Sequence, residues 1–160
     1  GDAFVLCGDG PLIRIETLKT LIETHRAASA AATLATAVID DPTGYGRVVR
    51  NPSGAFERIV EQKNASQAEL EIREVNPSYY CFDARALFAA LEDVKRNELT
   101  GEYYVTDVPR LLLDAGKTVE VVAAASEEDC LSITTLEQLA EVDRIFRARS
   151  SRASRDGVNA

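Results

Sequence analysis

The fold of this chain is decided by the stretch Phe4-Val5-Leu6-Cys7-Gly8-Asp9-Gly10-Pro11-Leu12. Residues 3–7 form a continuous apolar run with β-branched and aromatic members, which predicts a buried strand. Glycines on both sides of Asp9 relax the backbone, and Pro11 prevents the strand from continuing. Because open α/β sheets bind ligands beyond the carboxyl ends of their strands, the stretch predicts a strand, a turn and one well-placed carboxylate.

The composition indicates a globular protein of one domain. The chain has 160 residues, of which 46% are hydrophobic and 28% charged. These values are typical of soluble proteins. A net charge of −8 argues against a nucleic-acid surface, although carboxylate-held Mg²⁺ can carry the phosphates of a nucleotide. No apolar run approaches the roughly 18 residues of a membrane span, and no signal peptide is visible, so we expect a cytoplasmic protein without membrane contact.

Hydrophobic periodicity and turn residues predict the order of elements along the chain. An amphipathic helix over residues 15–28 and a buried strand over residues 33–39 complete a strand-helix-strand unit with the first strand. An irregular loop follows over residues 40–47 because proline and two glycines interrupt it. Residues 48–50 and 56–61 then form a hairpin. Residues 62–70 are predicted as loop or short helix, and residues 71–82 as β-rich.

The second half of the chain adds three helices and one strand. Asp83 is a candidate cap for the first of these helices, and Gly116 a candidate C′ residue for the second. A strand over residues 119–124 and a helix starting at Thr134 or Thr135 follow. We therefore expect an α/β three-layer sandwich with a mixed, mostly parallel sheet over residues 1–149 and a disordered tail over residues 150–160.

Five motifs occur in an order that resembles a known family. They are GDGPL at residues 8–12, DDPTGYGR at 40–47, IVEQK at 59–63, EVN at 74–76 and GEYYVTD at 101–107. This series resembles the N-acetylglucosamine-1-phosphate uridyltransferase domain of the bifunctional bacterial enzyme that makes UDP-N-acetylglucosamine. The similarity extends from about residue 3 to residue 149. It implies a fold of the nucleotide-diphospho-sugar transferase type.

The resemblance also implies a reaction and a site. Such enzymes join N-acetylglucosamine 1-phosphate to UTP with the help of Mg²⁺, giving UDP-N-acetylglucosamine and pyrophosphate. The positions of Asp9 and Thr134 correspond to metal ligands, and Asp9 is the implied catalytic residue. The implied substrate-binding residues are Cys7, Gly8, Gly46, Glu61, Asn76 and Tyr103. These roles suit phosphoryl-type transfer, which depends on positioning and charge neutralisation.

The sequence departs from the family pattern in three places. The family's glycine-rich nucleotide loop belongs well upstream and is absent from this sequence, which has neither GxGxxG nor GxxxxGK[ST]. On that ground we expect the chain to be inactive alone. Pro77 and Ser78 replace the usual Thr-Gly after Asn76, and Pro77 lacks a backbone donor. Thr134 stands where the family has an asparagine, and a hydroxyl is a poorer metal ligand than an amide carbonyl.

The residues themselves leave alternatives open. Asp9 can be a metal ligand or can cap a turn, since Asx turns use the same residue type. Thr134 can instead begin the last helix, because Thr134 and Glu137, like Thr135 and Gln138, have the spacing of a capping box. Tyr103 can be a core aromatic.

The whole chain has alternatives as well. It can be an inactive fragment or degenerate relative that binds a sugar nucleotide weakly or self-associates as a homo-oligomer through a sheet edge. It can also belong to a nucleotidyltransferase for another sugar phosphate. The three cysteines, Cys7, Cys81 and Cys130, have no CxxC spacing and are interpreted as reduced core residues.

Overall fold

A computed structural model of the chain describes residues 1–156. It contains eight strands and five α-helices in that range, and three short 3-10 segments at Gln62–Asn64, Val105–Asp107 and Glu128–Cys130. In chain order the strands and helices are β1 (Asp2–Leu6), α1 (Ile15–Ala27), β2 (Ala32–Ala35), β3 (Ala37–Val38), β4 (Gly46–Arg50), β5 (Phe56–Val60), α2 (Gln67–Leu70), β6 (Glu74–Asn76), β7 (Tyr79–Asp83), α3 (Ala84–Leu91), α4 (Val108–Asp114), β8 (Val119–Val122) and α5 (Leu136–Asp156).

The first sheet has four strands in the order β1-β7-β2-β8. β7 runs antiparallel to both β1 and β2, whereas β8 runs parallel to β2. The predicted mixed sheet is confirmed, and three of its four strands share one direction, although only β2 and β8 pair in parallel because β7 lies between β1 and β2. The unit β1-α1-β2 also joins two strands of the same direction, as the sequence predicts, although β7 lies between them.

Helices cover both faces of this sheet and complete the predicted three layers. On one face Leu21 of α1 packs in a buried cluster with Ala35, Tyr79 and Cys81. On the other face α3 and α4 contribute to a larger cluster that includes Leu34, Val48, Tyr80, Phe82, Leu87, Val108 and Leu112. Burial of apolar side chains on both faces is the main stabilising term of such a sandwich.

The strand predicted over residues 33–39 divides into two strands of different sheets. β2 belongs to the first sheet, and β3 belongs to a second sheet with the order β3-β6-β4-β5. Thr36 lies between them, where its amide donates to the Val122 carbonyl (2.8 Å) and its hydroxyl to Glu74 (2.9 Å). Continuous hydrophobicity hides this break, because the residues of both halves are almost all apolar, although Val38 of β3 is exposed. The predicted hairpin is confirmed as β4 and β5.

β1 is an edge strand with one partner, rather than the fully buried strand that its apolar run predicts. Phe4 and Leu6 lie opposite Cys81 and Tyr79 of β7. Their side chains nevertheless remain 43% and 40% exposed. The reason is that α1 packs over the centre of the sheet, against β2, β7 and β8. Such an edge is the kind through which strands self-associate, so the expected homo-oligomer stays a prediction.

The predicted cap at the start of α3 is confirmed, and the last helix is longer than predicted. Asp83 caps α3 by accepting a hydrogen bond from the Ala86 amide (2.9 Å). The last helix, α5, runs through Asp156, so residues 150–156 are helical where the sequence predicts a tail. Within it, the hydroxyls of Ser150 and Ser151 donate to the carbonyls of Phe146 and Ala148 in the preceding turn (2.9 and 3.0 Å). Residues 157–160 of the predicted tail lie outside the described residues.

None of the helices within residues 1–156 combines the length and the apolarity that crossing a membrane requires.

The ends of α1 and α4 have the same backbone geometry but different residues. In both, the first residue past the cap donates to the carbonyl three residues back, and the next amide donates to the carbonyl five residues back. This is the Schellman motif, whose C′ residue takes a positive φ. Gly116 occupies that position after α4 with φ of 70°, as predicted, whereas Ser29 occupies it after α1 with φ of 48°.

Replacing Ser29 with glycine should therefore stabilise the protein. A residue with a Cβ atom pays about 1 kcal/mol in the left-handed region, and glycine avoids most of this cost. We therefore expect Ser29→Gly to raise the urea concentration at the unfolding midpoint, and Gly116→Ser to lower it. Equal midpoints for all three proteins would contradict this description of the helix ends.

Candidate functional site

A cavity of about 170 Å³ opens at the carboxyl end of β1, where the sequence places the key carboxylate. It contains five of the residues that the sequence predicts for the site: Cys7, Asp9, Gly46, Glu61 and Asn76. The remaining lining residues are Gly44, Tyr45, Pro77, Ser78, Cys130 and Ser132. These residues come from widely separated parts of the chain, so the fold gathers them into one site.

Strand pairing brings these side chains together. Gly46 at the start of β4 lies directly opposite Asn76 at the end of β6. Glu61 follows the last residue of β5, which pairs with β4. Cys7 follows β1, and its amide donates to the Ser78 carbonyl (3.2 Å) between β6 and β7. The cavity therefore lies at the junction of the two sheets, with the carboxyl end of β1 on one side and β4–β6 on the other.

Asp9 is exposed at this junction. Its backbone carbonyl accepts a hydrogen bond from the Ile133 amide (2.9 Å), which holds residues 132 and 133 beside it. Mg²⁺ binds to proteins through one or two carboxylates, with waters and substrate phosphates as further ligands. Among the described residues, no group of three or more His, Cys, Asp or Glu side chains is arranged to hold a metal. Asp9 therefore offers a single exposed carboxylate, and its role as a metal ligand stays a prediction.

Two glycines at or beside the cavity have no room for a side chain: one at Gly10 would clash with its neighbours, and one at Gly46 would fill part of the cavity. A Cβ atom at Gly10 would lie 2.7 Å from Cys7 Sγ and 3.0 Å from the Tyr79 hydroxyl. A Cβ atom at Gly46 would lie 3.0 Å from a methyl group of Ile59 and 3.6 Å from both carboxylate oxygens of Glu61. The absent side chain of Gly46 is therefore what gives access to Glu61 from the β4 side.

Asn76 is buried, and its side chain is held on three sides. Its amide nitrogen donates to the Tyr80 hydroxyl (2.6 Å) and contacts Ser78 Oγ (3.4 Å), while its Oδ1 accepts from the Ser78 amide (3.2 Å). Ser78 adopts a φ of 62°, in the region that glycine prefers. Pro77 and Ser78, which replace the Thr-Gly of the family pattern, thus still form a tight turn, and Asn76 before them lines the cavity.

Burial sets the protonation of the groups beside Asp9. Burial and the neighbouring Asp9 carboxylate raise the pKa of the Cys7 thiol, so that this cysteine is mostly a neutral thiol. Burial raises the pKa of Tyr45 to about 12. The Tyr45 phenol therefore stays protonated at neutral pH and donates to the Cys130 carbonyl (2.7 Å). All three cysteines are free, and Cys81 and Cys130 are buried as predicted, whereas Cys7 is half-buried in the cavity wall.

Three predicted site residues do not line this cavity. Gly8 is exposed beside it without contributing to the wall. Tyr103 has a side chain that is 68% exposed, because it points to the solvent side of its extended segment. Thr134 has its hydroxyl hydrogen-bonded to Gln138 Oε1 (2.7 Å), which also accepts from the Thr134 and Thr135 amides. Thr135 Oγ1 accepts from the Gln138 amide (3.2 Å), so Thr135 and Gln138 form the predicted capping box, whereas metal ligation by Thr134 stays a prediction.

A second cavity of about 300 Å³ continues from the first and shares Gly44 and Glu61 with it. Its other lining residues are Gln62, Lys63, Glu102 and Tyr104. Successive side chains of an extended segment alternate in direction, which explains why Tyr104 lines the cavity and its neighbour Tyr103 does not. Together the two cavities reach the lower part of the roughly 300–1,000 Å³ range of small-molecule sites.

A larger cavity of about 540 Å³ lies at the opposite, amino end of β1. Asp2, Arg26 and Lys117 are among the residues that line it. It contains none of the predicted site residues and lies away from the carboxyl end of the strand. We therefore place the candidate site in the two cavities around Glu61.

A buried carboxylate that the sequence analysis missed fixes one wall of the site. The side chain of Asp129 is fully buried and accepts hydrogen bonds from Arg14 Nε (2.8 Å), Arg149 Nη2 (3.2 Å) and the Ser126 amide (2.9 Å). Its backbone carbonyl accepts from the Tyr79 hydroxyl (2.6 Å). The loop after β1, the segment before α5 and α5 itself are thus joined at one residue.

Comparison with solved structures identifies the class of this fold. UDP-glucose pyrophosphorylase, in a structure complexed with UDP-glucose, superimposes with a TM-score of 0.62 at 14% identity, covering 92% of this chain and 54% of that one. A putative glucose-1-phosphate thymidylyltransferase from Bacillus anthracis gives 0.57 at 18% identity, covering 78% of this chain and 46% of that one. At these identities the likeness concerns the fold alone, which is that of the nucleotide-sugar transferases.

The sequence comparisons are more specific. A family model described as nucleotidyl transferase matches residues 1–144, and the chain therefore belongs to the nucleotidyl transferase family. The bifunctional protein GlmU of Geobacillus thermodenitrificans is 49% identical over 152 residues, covering 95% of this chain and 33% of that protein. The bifunctional protein GlmU of Listeria monocytogenes is 42% identical, covering 99% of this chain and 35% of that protein. The resemblance to the bifunctional bacterial enzyme is confirmed, and the chain spans about a third of the length of these relatives.

The buried ion-pair network around Asp129 predicts a large effect on stability. Asp129→Ala removes a fully buried carboxylate from Arg14, Arg149 and the Ser126 amide, and because both arginines are partly exposed to water we expect a loss of roughly 2 kcal/mol of unfolding free energy. Asp143→Ala, which removes an exposed i,i+4 pair with Arg147, should leave the free energy of unfolding unchanged within error. Urea denaturation of both variants checks this, and similar losses for the two would contradict the special role of Asp129.

The proximity of Asp9 to Cys7 predicts a change in thiol reactivity. Only the thiolate reacts with iodoacetamide, and the raised pKa of Cys7 keeps its thiolate fraction low at pH 8. Asp9→Asn removes a negative charge, lowers the pKa of Cys7 and should speed its alkylation, as followed by peptide mass spectrometry. Asp41→Asn, which neutralises an exposed carboxylate outside the cavity, is the control and should not change the rate. An unchanged rate in Asp9→Asn would show that the two groups are not neighbours.

Proposed function

We propose that this chain provides the sugar-binding portion of a sugar-1-phosphate uridyltransferase. The reaction is UTP plus N-acetylglucosamine 1-phosphate to UDP-N-acetylglucosamine plus pyrophosphate. The observation that carries the proposal is the meeting of Asp9, Gly46, Glu61 and Asn76 in one cavity at the carboxyl end of β1. Family membership and the GlmU relatives support it.

The sugar would be held by the β4–β6 side of the cavity. Glu61 is a carboxylate beside the open space at Gly46, and a carboxylate accepting sugar hydroxyls makes charge-assisted hydrogen bonds, which are stronger than neutral ones. Asn76 presents an amide that is already oriented by Tyr80 and Ser78. An oriented amide can recognise the polar N-acetyl group without further loss of side-chain freedom.

The phosphates would lie toward Asp9. An oxygen of the sugar phosphate forms a bond to the α-phosphorus of UTP, and the bond from that phosphorus to the bridging oxygen of pyrophosphate breaks. Mg²⁺, when bound with the substrates, would neutralise phosphate charge, and Asp9 is the residue that would hold it. The chain's own contribution is positioning: Ile133 fixes the backbone of Asp9, and Cys7 remains an uncharged thiol that does not repel the phosphates.

The proposal predicts that Glu61 is needed for sugar binding. In the complete protein that carries this chain, Glu61→Gln should weaken binding of UDP-N-acetylglucosamine in the presence of Mg²⁺ roughly tenfold, because a neutral amide replaces a charged acceptor. The matched control is Glu57→Gln on β5, where the carboxylate pairs with Arg58 outside the cavity. Isothermal titration calorimetry measures both.

Two results would contradict the proposal. If UDP-N-acetylglucosamine does not bind to the wild-type complete protein, the uridyltransferase assignment is wrong, and a degenerate relative is favoured. Equal affinities of wild type, Glu61→Gln and Glu57→Gln would place the sugar elsewhere. A panel of sugar 1-phosphates in the same protein separates N-acetylglucosamine 1-phosphate from other sugars, and preference for another sugar would correct the substrate while keeping the reaction class.

A further inference from the structure

A buried threonine contacts the carboxylate that we assign to the sugar. Thr106 is 6% exposed, and its hydroxyl donates to Glu61 Oε1 at 2.8 Å. The two residues are far apart in sequence and belong to different motifs, IVEQK and GEYYVTD. Thr106 is not among the residues that line either cavity, so its contact with Glu61 is made from behind the site.

The backbone around Thr106 is rigid. The residue lies in the 3-10 segment Val105–Asp107, which leads directly into α4 and packs against β5. The Asp107 amide donates to the Tyr104 carbonyl (3.2 Å), and Val108 after it is fully buried. A β-branched side chain has few χ1 rotamers, so the Thr106 hydroxyl has little freedom to leave Glu61.

Glu61 has no other strong partner in the part of the chain that the structure describes. No Lys, Arg or His side chain there forms a salt bridge with it, in contrast to Glu57 of β5 and Glu74 of β6. A carboxylate can accept several hydrogen bonds, and Thr106 uses Oε1. The Oε2 atom therefore remains for a ligand hydroxyl, and the direction of Oε2 is fixed by the bond that Oε1 makes.

We propose that Thr106 is a positioning residue that orients the Glu61 carboxylate for the hydroxyls of the sugar. This inference rests on the proposed function and adds a determinant of sugar affinity that lies outside the cavity wall. Without the Thr106 hydroxyl, Glu61 rotates about its side-chain torsions, and the sugar must order it on binding. That ordering cost appears as weaker binding rather than slower chemistry.

The chain offers a matched control for this contact. Thr36 is also fully buried, and its hydroxyl donates to the carboxylate of Glu74 at 2.9 Å. Glu74 is additionally paired with Arg50 (2.7 Å), and neither Thr36 nor Glu74 lines a cavity around Glu61. Thr36→Val and Thr106→Val thus remove the same type of hydrogen bond, but only the second touches the candidate site.

Steady-state kinetics of the complete protein with N-acetylglucosamine 1-phosphate, UTP and Mg²⁺ test the inference. We expect Thr106→Val to raise the KM for the sugar phosphate roughly tenfold with little change in kcat, the size expected for losing one hydrogen bond to a charged group. Thr106→Ser, which keeps the hydroxyl, should restore KM to near the wild-type value. Thr36→Val should lower thermal stability without changing KM.

The possible results distinguish a failure of the Thr106 positioning role from a failure of the proposed uridyltransferase function. Wild-type KM in Thr106→Val, or an equal rise of KM in Thr36→Val, overturns the positioning role while the uridyltransferase assignment stands. A wild-type protein that does not use the sugar phosphate overturns the proposed function, and the inference with it. Thr106→Ala removes the same hydroxyl without adding a methyl group, so it gives the decisive KM if Thr106→Val does not fold.

Discussion

The candidate site depends on one buried carboxylate, that of Asp129, which has no direct contact with a substrate in our proposal. Its two oxygens hold Arg14 from the loop after β1 and Arg149 from α5, and its carbonyl holds Tyr79 of β7. A charge that is fully removed from water is tolerated only when it is paired and hydrogen-bonded in this way. Cys130 and Ser132 lie one and three residues after Asp129 and line the cavity, so this network sets the position of that wall.

The second constraint is the junction of the two sheets. One short segment contributes β2 to the first sheet and β3 to the second, and the backbone amide of Thr36 between them donates to the Val122 carbonyl at 2.8 Å. The connection from β6 to β7 makes the same transition at the Asn76 turn, where Ser78 takes a positive φ. Binding groups therefore come from two sheets whose relative position is fixed by short connections, which is how a rigid fold preorganises a site.

Much of this arrangement could be predicted from the sequence, because it depends on local patterns. The apolar run before Asp9, the helix over residues 15–28, the hairpin and the caps at Asp83 and Gly116 each have a short-range physical cause. The five residues that the fold gathers into the cavity were implied by the family resemblance rather than by local patterns. Local patterns could not show that β1 is an edge strand or that residues 33–39 divide, since these depend on which strands become neighbours.

The sequence analysis missed Asp129, Tyr104 and Thr106 because their roles also depend on contacts between distant parts of the chain. Asp129 ends a run of three acidic residues, and composition does not tell which of them is buried and paired. In GEYYVTD the sequence analysis selected Tyr103, whereas the structure directs Tyr104 to the cavity and Thr106 to Glu61. Alternation along an extended segment would have separated the two tyrosines if the direction of one had been known. Thr134 was open to two interpretations, and its hydrogen bond with Gln138, which supports a role at the start of α5, is visible only in the structure.

The central claim is that the cavity around Glu61 holds the sugar of a nucleotide sugar. A crystal structure of the complete protein carrying this chain, grown with UDP-N-acetylglucosamine and Mg²⁺, tests it most directly. Our account predicts density for the sugar ring beside Gly46, with a ring hydroxyl in hydrogen-bonding distance of Glu61, the acetamido group at Asn76 and the phosphates toward Asp9. Sugar density in the cavity at the amino end of β1, or a Glu61 carboxylate that contacts only water, would contradict it.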